Sequence, residues 1–123
     1  MKIMFFYFFL AVLASCQGPE RDCERFREGT FRFTAEVAGE EQTTLFTRKG
    51  DLEVSEYRGK KDSASIRWIN PCEYIVTNLN PKNRSEEKPI HMKILSTRDN
   101  SYTFEYKLVG SSKSSRGTAY KIE

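Results

Sequence analysis

Apolar and polar residues alternate with a period of two along most of the chain after residue 28. At residues 30–37, Phe31, Phe33 and Ala35 share one face, while charged and hydroxyl side chains occupy the other. Such alternation is typical of a β-strand with one buried and one solvated face. The pattern recurs and predicts about eight short strands, at residues 30–37, 43–48, 51–58, 63–69, 72–79, 90–96, 102–108 and 117–122.

Short segments rich in Gly, Asn and Asp separate the predicted strands. Pro71 ends the predicted strand at residues 63–69, because proline cannot donate a ladder hydrogen bond. Residues 80–89 form the longest polar stretch and are predicted to be a flexible loop. Residues 22–28 are expected to form one helical turn that Asp22 caps.

Sequential strands joined by short turns favour an antiparallel meander. The predicted fold class is therefore all-β, arranged as a small lipocalin-like barrel or as a two-sheet sandwich. Closure into a barrel would remove the exposed strand edges that otherwise promote aggregation. The length of 123 residues allows a single domain, which we place at residues 29–123.

The first sixteen residues follow a different pattern. Lys2 precedes an uncharged apolar run at residues 3–13. This run is shorter than the roughly 17–25 residues that span a bilayer as a helix, and it fits the apolar region of a signal peptide. It closes with Leu-Ala-Ser-Cys at residues 13–16, which resembles the lipobox of bacterial lipoproteins. The resemblance implies a signal peptide at residues 1–15 and an acylated Cys16. The alternative is an ordinary secreted protein in which Cys16 stays a thiol.

An acylated Cys16 would hold the protein at a membrane of the bacterial cell envelope, since several acyl chains on one residue attach it stably. Residues 16–28 would then comprise the lipidated cysteine and its tether. The residue after Cys16 is Gln17 rather than Asp, which by resemblance to lipoprotein sorting rules favours the outer membrane. The sequence leaves open whether the domain faces the periplasm or the outside.

If Cys16 carries the lipid, Cys23 and Cys72 remain, and both would lie in an oxidising compartment where a disulfide persists. A bond between them would close a loop of about fifty residues. The alternative is two unpaired thiols that lie too far apart to bond. A metal site is not expected, because the cysteines lack CxxC spacing and the chain has one histidine.

Charge and motifs argue against several function classes. The formal net charge of +3 is small and basic residues alternate with acidic ones, which argues against a nucleic-acid partner. The chain lacks the G-x-S-x-G, phosphate-loop and dinucleotide motifs. Its one histidine, His91, falls on the polar face of a predicted strand, where a solvated surface residue is expected. The neighbouring carboxylates at residues 40–41 and 86–87 fall in turns or loops, whereas a catalytic pair needs burial. We therefore expect no enzymatic activity, no catalytic residue and no cofactor.

Aromatic residues dominate the predicted apolar faces. Eight-stranded barrels are either filled by side chains or hold one small ligand, and for so short a chain we favour a filled core. The residues that would form this core, or line a ligand cavity, are Phe31, Phe33, Trp68, Tyr74, Tyr102, Phe104 and Tyr106. The leading hypothesis is an envelope protein that binds a small apolar ligand, which predicts a cavity on the order of a few hundred Å³. The alternative is a structural or protein-binding envelope module, which predicts an exposed apolar patch or strand edge.

Several segments carry a further resemblance. They are Cys23 with GTFRF at 29–33, SIRWIN at 65–70 with CEY at 72–74, LNPKN at 79–83 and NSYTFEY at 100–106. Together they resemble a family of small lipoproteins from flavobacteria and related bacteria, across most of the chain after Cys16. That family has no established biochemical role, so the resemblance implies no catalytic residue. Some members carry the label DNA topoisomerase IV. Such an enzyme needs an ATPase module, a magnesium-binding carboxylate cluster and a tyrosine nucleophile in a DNA-binding domain, and this sequence supports none of them.

Overall fold

The computed structural model describes residues 21–123, apart from the side chains of residues 36 and 37. The predicted signal peptide and Cys16 lie outside the described residues. A 3₁₀ turn, Cys23–Phe26, precedes the strands, and one helical turn, α1 (Arg84–Glu87), separates the fifth strand from the sixth. The strands are β1 (Gly29–Val37), β2 (Glu40–Lys49), β3 (Leu52–Tyr57), β4 (Lys60–Asn70), β5 (Glu73–Asn78), β6 (Ile90–Thr97), β7 (Ser101–Leu108) and β8 (Ser115–Lys121).

Each strand pairs antiparallel with its neighbours in sequence, and β1 also pairs with β8, so that the sheet closes into a barrel. In this register Phe31 of β1 lies opposite Phe46 of β2, and Phe33 lies opposite Ala119 of β8. The prediction of an all-β antiparallel meander is confirmed. Of the two arrangements considered, the structure has the barrel and not the sandwich.

Two hairpins turn more tightly than the sequence suggested. Ala38 and Gly39 connect β1 to β2 with φ of 54° and 80°, and Arg58 and Gly59 connect β3 to β4 with φ of 51° and 76°. Positive φ at both central residues is what a type I′ turn requires, and its twist matches that of the flanking strands. Because two residues complete the first turn, residues 40–41, predicted as turn residues, belong to β2.

The core fills one end of the barrel, which we call the closed end. Phe31, Ile94, Tyr102 and Ala119 are at most 1% exposed there. The ring of Phe26, from the 3₁₀ turn, packs on them, with its centroid 6.5 Å from that of Phe31 and 5.2 Å from that of Tyr102. Burying one such side chain contributes roughly 1.5–3 kcal/mol. The 3₁₀ turn therefore closes this end of the barrel.

Covalent and polar contacts hold the 3₁₀ turn in place. The sulfur atoms of Cys23 and Cys72 lie 2.00 Å apart, at disulfide distance, and join the turn to the connection between β4 and β5. Asp22 occupies the N-cap position, but its side chain makes no capping hydrogen bond, contrary to expectation. Its carboxylate pairs instead with Arg25 at 3.2 Å, and its backbone N–H donates to Thr97 Oγ1 at 2.7 Å.

The opposite end, which we call the open end, carries the two tight turns and the α1 segment. Residues 80–89, predicted to be a loop, include α1. Asn83 Oδ1 accepts a hydrogen bond from the backbone N–H of Glu86 at 2.9 Å, which satisfies a donor of the first helical turn. Among the residues that the structure describes, no helix is long and apolar enough to cross a membrane.

Candidate functional site

The open half of the barrel interior contains a cavity of about 310 Å³. A second cavity of about 400 Å³ adjoins it toward the open end, and the two share Glu53, Ser55, Val76 and Ile90 in their walls. Volumes of this size are in the range that holds a small ligand. The apolar wall of the inner cavity consists of Phe33, Phe46, Val76, Ile90, Met92 and Phe104, together with the rings of Tyr74 and Tyr106.

The polar part of the inner wall comes from two adjacent strands, with Thr44 on β2 and Glu53 and Ser55 on β3. Glu53 lies opposite Arg48 in the register of β2 and β3, and Arg48 is buried. Cross-strand partners share one face of a sheet, so β3 turns its charged and hydroxyl face inward. Its apolar face points outward, and Leu52 on that face is 44% exposed.

Arg48 lies beneath the inner cavity, outside its lining, in a buried polar cluster that we call the floor, and its side chain has no exposed area. Its Nη2 donates to the carbonyl oxygen of Phe26 at 2.6 Å, and its Nε donates to that of Arg27 at 3.3 Å. Its Nη1 donates to the hydroxyl oxygens of Tyr74 at 3.0 Å and Tyr102 at 3.2 Å. Carbonyl groups at the end of a helical turn need donors from elsewhere. Arg48 supplies them and ties the 3₁₀ turn to the barrel wall.

Aromatic rings surround the Arg48 guanidinium. Its central carbon lies 4.5 Å from the ring centroid of Phe31 and 5.3 Å from that of Phe46. Cation–π contacts of a desolvated cation are worth about 2 kcal/mol. Burial alone would lower the pKa of Arg48, but interactions with two tyrosine hydroxyls and with Glu53 raise it above its ordinary value. Arg48 therefore keeps its positive charge wherever the protein is folded.

Glu53 borders both the floor and the cavity. Its Oε1 accepts a hydrogen bond from Arg48 Nη1 at 3.4 Å, and its side chain is 15% exposed. Burial raises the pKa of Glu53, and the Arg48 guanidinium acts in the opposite direction. Burial also raises the pKa values of Tyr74 and Tyr102, so both phenols are neutral at physiological pH. The floor thus combines one buried cation, one carboxylate at the cavity and two neutral hydroxyl groups.

The aromatic residues selected from the sequence form the core or line the cavity, and Phe104 does both. Phe31, Tyr102 and Phe104 belong to the buried core, and Trp68 packs beside it with its ring centroid 4.5 Å from that of Tyr74. The selected residues that line the cavity are Phe33, Tyr74, Phe104 and Tyr106. The expected filled core thus occupies the closed half, and the open half holds the space that the ligand-binding hypothesis requires.

Trp68 is the single tryptophan of the chain. Its Nε1 is the one buried side-chain polar atom within the described residues that lacks a hydrogen-bond partner. The guanidinium carbon of Arg27 lies over the Trp68 ring, 4.9 Å from its centroid, and covers that part of the ring from solvent. Its contact with Tyr74, which lines the cavity, makes Trp68 an intrinsic fluorescence reporter for this part of the barrel.

His91 lies on the outer face of β6 and is 23% exposed, so it is more covered than the expected solvated residue. Its Nε2 lies 3.6 Å from Glu73 Oε1, and its strand neighbours are Ile75 and Lys107. This arrangement does not place a hydroxyl nucleophile beside an imidazole, as nucleophilic catalysis requires. Residues 21–123 also contain no group of three or more His, Cys, Asp or Glu side chains that could hold a metal ion.

Among the described residues, the four most exposed large apolar side chains are divided between the two ends of the barrel. Ile69 and Ile122 lie toward the closed end, while Leu79 and Val109 follow strands that finish at the open end. Each is about half exposed, at 49–56%. Apolar side chains scattered in this way are normal on a protein surface.

Comparisons with models of protein families, with curated proteins and with solved structures find no match to this chain. The resemblance to small flavobacterial lipoproteins therefore stays a prediction. The function has to be inferred from the geometry of the barrel and the chemistry of its cavity.

Proposed function

We propose that this protein is a non-catalytic binding module that holds a small apolar ligand inside its barrel. The observation that carries the proposal is the cavity of about 310 Å³ above the core. Protein interiors are close-packed, with few voids larger than a water molecule. A space of this size with a mainly apolar wall is typical of a ligand site.

The aromatic wall supports the proposal because its rings pack against one another. The ring centroids of Phe33 and Phe104 lie 5.4 Å apart, and those of Phe104 and Tyr106 lie 5.7 Å apart. Gly117 makes room for this packing, since a Cβ there would lie 2.4 Å from Phe33 Cε2. A wall that is ordered before binding reduces the entropy lost when a ligand enters.

We further propose that acylated Cys16 anchors the barrel to the outer membrane of a bacterial envelope. Five residues separate Cys16 from Asp22 in the sequence, and the Asp22 backbone and the Cys23 disulfide fix the chain at the closed end. The open end would then point away from the membrane and stay accessible to a ligand. Mass spectrometry of natively produced protein tests the anchor. Acyl groups on Cys16 and loss of residues 1–15 are expected, and an intact chain recovered from the cytosol would contradict the proposal.

Ligand binding can be followed at one methionine. The chain contains Met1, Met4 and Met92, and Met92 lines the cavity. The full chain, labelled with ¹³C at its methionine methyl groups and held in detergent micelles, is titrated with octanol. Met92→Leu identifies the reporter signal by its loss. We expect octanol to shift the Met92 methyl signal in a saturable manner, because it places new atoms against that side chain.

A matched pair of variants places the binding inside the barrel. Val76 lines both cavities, whereas Thr77, the next residue on β5, is exposed. Val76→Phe fills part of the cavity and is expected to weaken octanol binding by tenfold or more, while Thr77→Phe leaves it unchanged. Equal binding by both variants, or a Met92 signal that octanol does not move, would refute the proposed function.

A further inference from the structure

We propose that the ligand of this cavity is an amphiphile whose polar head donates hydrogen bonds, an amine foremost, and that Glu53 accepts them. This inference rests on the proposed function and specifies the chemistry of the same site. It follows from the polar groups at the floor, from the charges at the open end and from the apolar wall between them.

The buried cation at the floor has no capacity left for an anionic ligand. A guanidinium has five N–H donors in a fixed geometry. In this structure Nε donates to Arg27, Nη2 donates to Phe26 and Tyr102, and the two hydrogens of Nη1 are shared among Glu53, Tyr74 and Tyr102. Arg48 does not line either cavity. An incoming carboxylate or phosphate would therefore find the positive charge already engaged.

Glu53, by contrast, lines both cavities. An ionised carboxylate accepts through two oxygens with about four lone-pair sites, and it offers no donor. Arg48 engages Oε1 through a single long contact of 3.4 Å. Acceptor capacity therefore remains on the carboxylate at the cavity. A head group that donates hydrogen bonds would meet this acceptor, whereas a ligand carboxylate would face a like charge in a poorly solvated space.

The charges around the outer cavity also favour a cationic head group over an anionic one. Its wall includes the carboxylates of Glu53, Asp62 and Glu86 and the ammonium of Lys88. Three acidic groups against one basic group give a negative balance on the path from the open end to the floor. Charges of one sign along a cleft raise the local concentration of ligands that carry the opposite sign. The path therefore favours a cationic head over an anionic one.

The remaining wall of the inner cavity suits the apolar body of such a ligand. Val76, Ile90, Met92 and Phe104 supply this wall from β5, β6 and β7, none of which pairs with the polar strand β3. Their side chains offer dispersion contacts and no competing charge. A molecule with a short alkyl or aryl body and one donor group at its end would satisfy both sides of the cavity.

The test compares octylamine, octanol and octanoate, which share one alkyl chain and differ in the head group. Each is titrated into the ¹³C-methionine-labelled full chain at about pH 8, where an alkylamine is protonated and a glutamate with an ordinary pKa is ionised. The Met92 methyl shift reports the apparent affinity. The measured quantity is the ratio of the octylamine affinity to the octanoate affinity. Partition into the micelles is the same for every variant, so it cancels when ratios are compared between variants.

Two variants on one strand supply the comparison. Glu53→Gln removes the carboxylate at the cavity, and Glu56→Gln removes an exposed carboxylate from the same strand. A charge-assisted hydrogen bond typically corresponds to tenfold or more in affinity. We expect the ratio in the wild type and in Glu56→Gln to be at least about tenfold higher than in Glu53→Gln.

The outcomes separate the two proposals. If none of the three compounds moves the Met92 signal, the proposed function is wrong and the inference falls with it. If octanol binds but the ratio is the same in the wild type and in Glu53→Gln, the cavity binds apolar ligands and the assignment of Glu53 is overturned. If Glu53→Gln fails to fold, Ser55→Lys tests the same point. It places a cation one inward position along β3, and a ratio that stays at the wild-type value would overturn the inference.

Discussion

Replacing Arg48 by methionine is expected to destabilise the barrel by about 3–5 kcal/mol. The variant keeps an apolar stem of similar length and removes every guanidinium donor from the floor. The carbonyl oxygen of Phe26 would lose a bond of 2.6 Å, and an unsatisfied buried acceptor costs about 1–3 kcal/mol. The Glu53 carboxylate would lose its cation, and breaking a buried ion pair from one side costs about 3–5 kcal/mol. Because Glu53 is 15% exposed at the cavity, water can compensate part of this loss, and the two contributions do not add fully.

The pH dependence of this loss identifies its cause. Burial raises the pKa of Glu53 in the folded state, while Arg48 lowers it. A carboxyl group with a raised folded-state pKa contributes stability below its unfolded pKa, and that stability is lost as the pH rises through the folded pKa. Without Arg48 the folded pKa rises further. The destabilisation should therefore be large near neutral pH and clearly smaller at about pH 4, where glutamates become protonated.

Urea unfolding followed by Trp68 fluorescence measures the free energy of unfolding of the wild type and of Arg48→Met at each of the two pH values. Arg32→Met is the matched control, since Arg32 is exposed on β1 with its guanidinium 5.8 Å from the Tyr120 ring centroid. A surface substitution of this kind is expected to change stability by no more than about 0.5 kcal/mol. A loss for Arg48→Met below about 1 kcal/mol, or one that is equal at both pH values, would refute the account of the floor.

Two further substitutions test the closed end and the cavity wall. Cys23→Ser combined with Cys72→Ser opens a loop with a sequence separation of 49, for which the chain-entropy model gives about 4 kcal/mol of lost stability. Unfolding of the oxidised parent with and without reductant should reproduce that difference, and equal midpoints would contradict it. Gly117→Ala places a Cβ against the ring of Phe33, and such overpacking is expected to cost about 1–3 kcal/mol in thermal unfolding. If the ring of Phe33 turns into the cavity to relieve the contact, octanol binding should also weaken. If neither stability nor octanol binding changes, Gly117 and Phe33 are not closely packed.

The strands were predictable because a buried apolar residue recurs at every second position along them. Their first and last residues were harder to predict. β4 begins at Lys60, three residues before the predicted start, because its first residues extend a hairpin with no apolar side chain to mark them. Backbone pairing across a tight turn needs no apolar residue. The helical turn α1 was missed inside a polar stretch, although Asn83 followed three residues later by Glu86 is a capping signature that could have indicated it.

The polar floor was not predicted either, because periodicity along a strand does not show which of its two faces is buried. On β2 the inward positions continue from Phe46 to Arg48, and a terminal arginine on a strand is ordinarily interpreted as solvated. On β3 the alternation of Leu52 and Val54 marks an apolar face, but that face points outward. The register of β2 with β3 and the placement of the 3₁₀ turn decide which face is buried. The register of β2 with β3 is set at the short turn between them, whereas the 3₁₀ turn is placed by contacts with segments distant in sequence, such as the bond from Cys23 to Cys72. Periodicity within one segment reports neither.

The floor also explains how so small a barrel can have a packed core and an empty half at once. Arg48 and its aromatic neighbours seal the core, and the Glu53 side chain marks the lower limit of the cavity. A cavity kept for a ligand should be a site where stability and binding oppose each other. Filling part of it by Val76→Phe is expected to raise the free energy of unfolding by about 0.5–2 kcal/mol while binding of octanol weakens by tenfold or more. Had the space been only a packing defect, the same substitution would stabilise the barrel and remove no binding, because there would be none to remove.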